Sequence, residues 1–351
     1  MLKKTKALTA SIAVLAASTS FAESWDSTLG QIQSQYIVPK YDAFTQSAEQ
    51  LAASAEALCA APHASTLADT QAAFRNNVAD WQQLQWLNFG PVTYFMRYYA
   101  YEYWPDKKGV TQRQLRALSA SPATMEAPKF WTSASIAVRG MTAIESLLFH
   151  PDFDVVNRKT DCEVLEAVTH HHATTTGDVL KQWQEGQPTD WVFAEEGDNT
   201  SLEHMVIEQF VQQWLEHMSV VKDSKLETPI GYKGSANLRL AEFYRSEQSL
   251  PSIQANLKAY RVLYHSGSPS LYDTAMKQQP ALAKALEDSL ADNVKLALLL
   301  PADFFTGEYS QEQRIDLAQP LVKAISTSQT DLVNLVTSLG FQIGFNSRDG
   351  D

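Results

Sequence analysis

The residues best suited to chemistry are Arg139 and Glu145, set in the apolar stretch Ser133–Phe149 (SASIAVRGMTAIESLLF). Both are costly to desolvate, so each needs a counter-charge, hydrogen bonds or water. Six residues apart on a helix, they point to different sides and form no direct pair. Such groups suit ligand binding, cation coordination through the glutamate, or an ion-pair network. A second polar set, Arg97, Glu102, Asp106 and Lys107, lies in or beside the aromatic run Tyr94–Trp104. At the edge of a large apolar surface these groups must also find partners. His204 and Glu208 are four apart and share a helix face, an acceptable geometry for two metal ligands. His170, His171 and His172 are adjacent, and neighbouring helical residues point about 100° apart, so one helix cannot aim all three at one ion. The chain has no HExxH, GxSxG, P-loop or GxGxxG motif.

The elements that must position these residues read as helices. Ile136, Val138, Met141, Ile144, Leu147 and Leu148 recur at spacings of three and four, predicting one helix over Phe130–Phe149. Gly140 within it costs roughly 1 kcal/mol relative to alanine, which points to close approach of another group. Similar periodicity predicts helices over Trp25–Ala60 (bent at Pro39), Thr66–Leu87, Thr111–Ser119, Asp161–Trp183, Leu202–Lys222, Pro251–Tyr264, Pro280–Leu300 and Gln311–Leu339. Leu238–Tyr244 reads as helical or irregular. Alternating β-branched runs are missing. The expected architecture is all-α, two packed helical bundles: residues 23–186, a Gly/Pro-rich linker at 187–199, and residues 200–351.

The first 22 residues carry Lys3, Lys4 and Lys6, a short apolar stretch, and Ser20-Phe21-Ala22. This pattern is a secretory signal peptide cut after Ala22, and a periplasmic location is expected. No later run is apolar and long enough for a membrane helix. The formal charge of −12 argues against nucleic acid or an anionic membrane as partner and is compatible with a cationic ligand. Cys59 and Cys162 are the only cysteines. In an oxidising compartment they read as a structural disulfide rather than a metal pair.

These motifs carry a resemblance. Gly140-Met141-Thr142-Ala143-Ile144-Glu145 resembles the GxHxxE motif of the imelysin-like family (peptidase M75), with Thr142 where the histidine stands. Arg139 and Leu147-Leu148-Phe149 look like the RGxxAxExLLF pattern of a predicted periplasmic branch of that family. Phe89-Gly90-Pro91, Tyr103-Trp104-Pro105-Asp106, Gln114-Leu115-Arg116, Tyr244-Arg245-Ser246 and the tail Gly344-Phe345-Asn346-Ser347 fit the same branch, as does the cysteine pair. The resemblance spans nearly the whole chain after the leader.

It implies two helical bundles with the motif near their interface, and a link to bacterial iron uptake. Two functions follow as expectations. The first is a non-enzymatic binding or accessory protein for iron acquisition, taking iron, an iron chelate or an anion-bearing partner. Arg97, Asp106, Arg139, Gly140, Thr142 and Glu145 would line a polar pocket, completed by Arg245 and the acidic tail. The second is a metallopeptidase with Glu145 as ligand or base and a recruited histidine such as His204. A threonine hydroxyl is a poor transition-metal ligand and no base near neutral pH, which weighs against the second.

Overall fold

The computed structural model describes residues 25–194 and 200–343. The predicted signal peptide, part of the expected linker and the tail from Gly344 onward lie outside them. Among the described residues the fold is all-helical, with no strand.

Residues 25–60 form α1 without interruption. Pro39 lacks an amide donor, and a π-helical turn at Gln33–Ile37 takes up the mismatch just before it. α2 (Ala64–Gln82) and α5 (Lys159–Glu185) pack along α1. Cys59 near the end of α1 is bonded to Cys162 in the first turn of α5, as expected, across a sequence separation of 103. Between α2 and α5 lie α3 (Val110–Ala120) and α4 (Met141–Phe149). The second half contains α6 (Leu202–Ser219), continued by a π-helical segment Val220–Glu227, then α7 (Ser249–Tyr264), α8 (Leu271–Gln278), α9 (Pro280–Leu299) and α10 (Gln311–Ser338). Helix α8 was not anticipated. Its start carries a readable signal, a capping box in which Ser270 and Asp273 bond each other's backbone amides.

The halves meet where α7 packs on α2. One connected cluster of buried apolar residues runs from Trp25 to Phe341 through both.

The expected helix Phe130–Phe149 is broken into a short turn at Phe130–Ser133, a 3-10 turn at Ile136–Val138, and α4. Ser135 caps the 3-10 turn through its side chain, and Gly140 is the N-cap of α4, not an interior residue. The reason is tertiary. A Cβ on Gly140 would overlap the carbonyl oxygen of Ala100 and lie 2.6 Å from that of Tyr101. The chain around Ala100–Tyr101 crosses directly over the start of α4, and only glycine permits this.

Candidate functional site

Glu145 sits on the buried face of α4, 3 % exposed. Its Oε1 accepts hydrogen bonds from the Ser246 amide (3.0 Å) and hydroxyl (2.8 Å), and Arg245 stands 3.8 Å from its Oε2. Burial raises its pKa, while the Ser246 bonds and then the Arg245 charge oppose the rise. The turn that supplies these partners is strained. Phe243 and Glu247 both have positive φ, +49° and +63°, conformations that cost of order 1–3 kcal/mol each for non-glycine residues and cluster at functional sites. Arg75 fixes the turn further by donating to the Ser246 carbonyl.

Beside Glu145 opens a cavity of about 280 Å³, bounded by the Glu102–Gln112 stretch, α4 and residues 237–245. Of the residues expected at the site, it brings together Asp106, Thr142, Glu145 and Arg245. Lys107 and Arg239 also line it; both are exposed, and neither side chain makes an ion pair among the described residues. Asp106 has a structural task as well, since its two oxygens accept from the Val110 and Thr111 amides and cap α3.

The other expected residues lie elsewhere. Arg97 donates to the Pro91 carbonyl and stands 3.7 Å from Asp178. Arg139 lines neither this cavity nor the one described next; its buried Nε has no partner among the described residues, and burial lowers its pKa. Gly140 acts through the backbone crossing above. The three adjacent histidines diverge: His170 contacts Glu56, His171 stacks on Trp131, and buried His172 bonds Asn77. His204 bonds Glu208, which also accepts from the Gln342 amide. Among the described residues no histidine lines the Glu145 cavity. Among the described residues no three His, Cys, Asp or Glu side chains gather where a metal ion could be held.

Sequence reasoning missed a buried polar network at the junction. Lys225, 1 % exposed, donates to Glu242, Gln82, Gln85 and Asn256. Gln85 Nε2 bridges Glu102 and Glu242, at 2.9 Å each. Gln85 Oε1 also meets His217 Nε2, whose Nδ1 faces the Tyr260 hydroxyl. Burial, then the charge of Lys225, holds the His217 pKa well below normal, so its imidazole is neutral. With Gln85 Oε1 able only to accept, the ring proton sits on Nε2. A signal existed: in the expected helix Thr66–Leu87, Gln85 lies four residues after Trp81 and so falls on its apolar face, although α2 itself ends at Gln82. A second cavity, about 310 Å³, opens onto this network, and Glu102, Trp104 and Pro105 line both cavities.

An all-helical fold with two polar cavities that share Glu102, Trp104 and Pro105 defines the structural class, and the chain belongs to the imelysin family, whose sequence profile matches residues 37–332. It superposes on an imelysin-like protein from Psychrobacter arcticum 273-4 with a TM-score of 0.74 at 20 % identity, covering 97 % of this chain and 100 % of that one. A protein assigned provisionally as an iron-regulated protein A precursor, from Parabacteroides distasonis ATCC 8503, gives a TM-score of 0.74 at 16 % identity, covering 90 % and 95 %. At these identities the likeness is one of fold. No functionally curated protein matches the chain.

Proposed function

We propose that this protein is exported to the periplasm and serves iron acquisition as a binding or accessory protein, without catalysis, taking an anionic ligand such as an iron chelate in the Glu145 cavity. The observation that carries the reading is the charge arrangement there. Arg239 and Lys107 line the cavity without ion-pair partners among the described residues, and Arg245 stands beside a Glu145 already engaged by Ser246. Guanidinium groups recognise carboxylates and similar anions through charge-assisted hydrogen bonds. A peptidase reading finds less support, because Thr142 stands where the resemblance places a histidine and no other histidine lines the cavity. The Cys59–Cys162 disulfide supports an oxidising compartment. No helix among the described residues is long and apolar enough to cross a membrane.

The test is titration of the purified mature chain with ferric citrate and with citrate alone, followed by calorimetry. Saturable binding is expected, weakened about tenfold or more in Arg239→Ala through loss of a charge-assisted contact. Equal uptake by the parent, Arg239→Ala and Glu145→Ala would remove the cavity from the function.

A further inference from the structure

The second cavity differs from the first in charge and in walls. It lies between residues 98–105 and the α6/π-helical segment. The formally charged side chains lining it are Glu102 and Glu216, with no lysine or arginine among them. Tyr98, Tyr99 and Trp104 supply aromatic surface, with the fully buried Trp81 behind them. Lys225, the cation beneath it, is fully engaged by Glu242, Gln82, Gln85 and Asn256.

Glu102 is the telling residue. It is 8 % exposed, and its Oε2 accepts from Trp81 Nε1 and Gln85 Nε2 at 2.9 Å each. Its Oε1 is buried and receives no N–H or hydroxyl donor among the described residues. A buried carboxyl oxygen left unpaired is unfavourable and rare, and this one belongs to a residue in the cavity wall. Tyr99, 51 % exposed, also lines the space, which therefore reaches solvent.

We propose that this cavity binds a small organic cation, a protonated amine or quaternary ammonium, between the carboxylates of Glu102 and Glu216 and the surrounding rings. Aromatic faces attract such cations through the ring quadrupole, and carboxylates supply the counter-charge. An anion finds no free positive group here. A bare metal ion finds two carboxylates and indole walls, and no cluster of three ligating side chains exists among the described residues. Burial, then the neighbouring Glu242 carboxylate, raises the pKa of Glu102 well above normal. The neutral acid also shares a side-chain hydrogen bond with Glu242. A cation that pairs with the ionised Glu102 therefore releases one proton to solvent as it binds.

The experiment is calorimetric titration of the full mature chain with choline and with its neutral isostere 3,3-dimethyl-1-butanol. Choline is expected to saturate, and the isostere to bind about tenfold more weakly or not at all. Glu102→Gln keeps the shape and an acceptor for Trp81 but removes the charge; Tyr99→Ala truncates an exposed ring and tests the site even if the first variant folds poorly. Each is expected to weaken choline by about 5- to 30-fold. Tyr99 lines this cavity and not the Glu145 cavity, so citrate titration of Tyr99→Ala separates failure here from failure of the anion site. The proposal is overturned by absence of saturation up to about 10 mM, by equal affinity for choline and the isostere, or by binding that neither variant alters.

Discussion

Gly140 and Lys225 show how single residues hold the two cavities in place. Gly140 lets the Ala100–Tyr101 backbone cross over the start of α4, and the next residue along that backbone is Glu102. The motif glycine thus seats the Glu102 carboxyl, while the same helix presents Thr142 and Glu145 to the neighbouring space. Gly140→Ala is expected to destabilise by about 1–3 kcal/mol through forced displacement of that backbone, read as a lower denaturant midpoint; an unchanged midpoint would show that the crossing relaxes freely. Lys225→Met leaves the Glu242 carboxylate buried without its counter-charge, a change that costs about 3–5 kcal/mol when one partner of a buried pair is removed. Adding Glu242→Gln to Lys225→Met is expected to recover part of that loss in the same measurement. At this scale the sequence announced Glu145 clearly, because a carboxylate in an apolar helix demands a partner. It did not announce Ser246 as that partner, since 101 residues separate them. Nor did it distinguish Arg97, spent on Asp178 and the Pro91 carbonyl, from Arg245, which does reach the glutamate.

Helices as units were easier to read than their breaks. Apolar spacing located α5, α7, α9 and α10 within a few residues, because each buries one face against a neighbour. It failed over Phe130–Phe149, where side-chain periodicity continues through a backbone that does not. The interruption comes from a distant segment pressing on Gly140, and no local pattern reports that. Helix α5 also explains the histidine tract. Burial lowers the pKa of His171 to about 4, with Arg139 adding to the fall, and that of His172 to about 3, with His171 adding. Folded pKa values below the unfolded one mean that the unfolded chain binds more protons between about pH 6.5 and 4, so these histidines withdraw stability as pH falls through that window. Glu102 and Glu145, with raised pKa values, act in the opposite sense. The effect is therefore read as a difference. The melting temperature of the parent is expected to fall relative to His171→Gln between pH 6.5 and 4, and parallel curves would contradict the assignment.

The whole molecule is held by one covalent tie within the first half and by polar and apolar contacts between halves. The Cys59–Cys162 bond closes a loop across a separation of 103 residues, which corresponds to about 4–5 kcal/mol of stabilisation on the chain-entropy account. The double variant Cys59→Ala, Cys162→Ala is expected to lower the denaturant midpoint accordingly while retaining the helical circular dichroism; no change would place the stability elsewhere. The all-helical class was legible because period-3.6 patterns fill the chain and alternating ones are missing. The way the halves meet was not, because it depends on Gln82, Gln85, Lys225, Glu242 and Asn256, polar residues whose types suggest a solvated surface but which lie buried across the junction.

Trp104 and Pro105 form a partition between the two cavities, with the Trp104 indole tied to the Leu240 carbonyl by a 3.1 Å hydrogen bond. The same ring faces both chambers. Were both chambers to take guests, any factor that one guest applied to the affinity of the other through this wall would be returned in equal measure. Two cargoes of opposite charge would report on each other through a single wall.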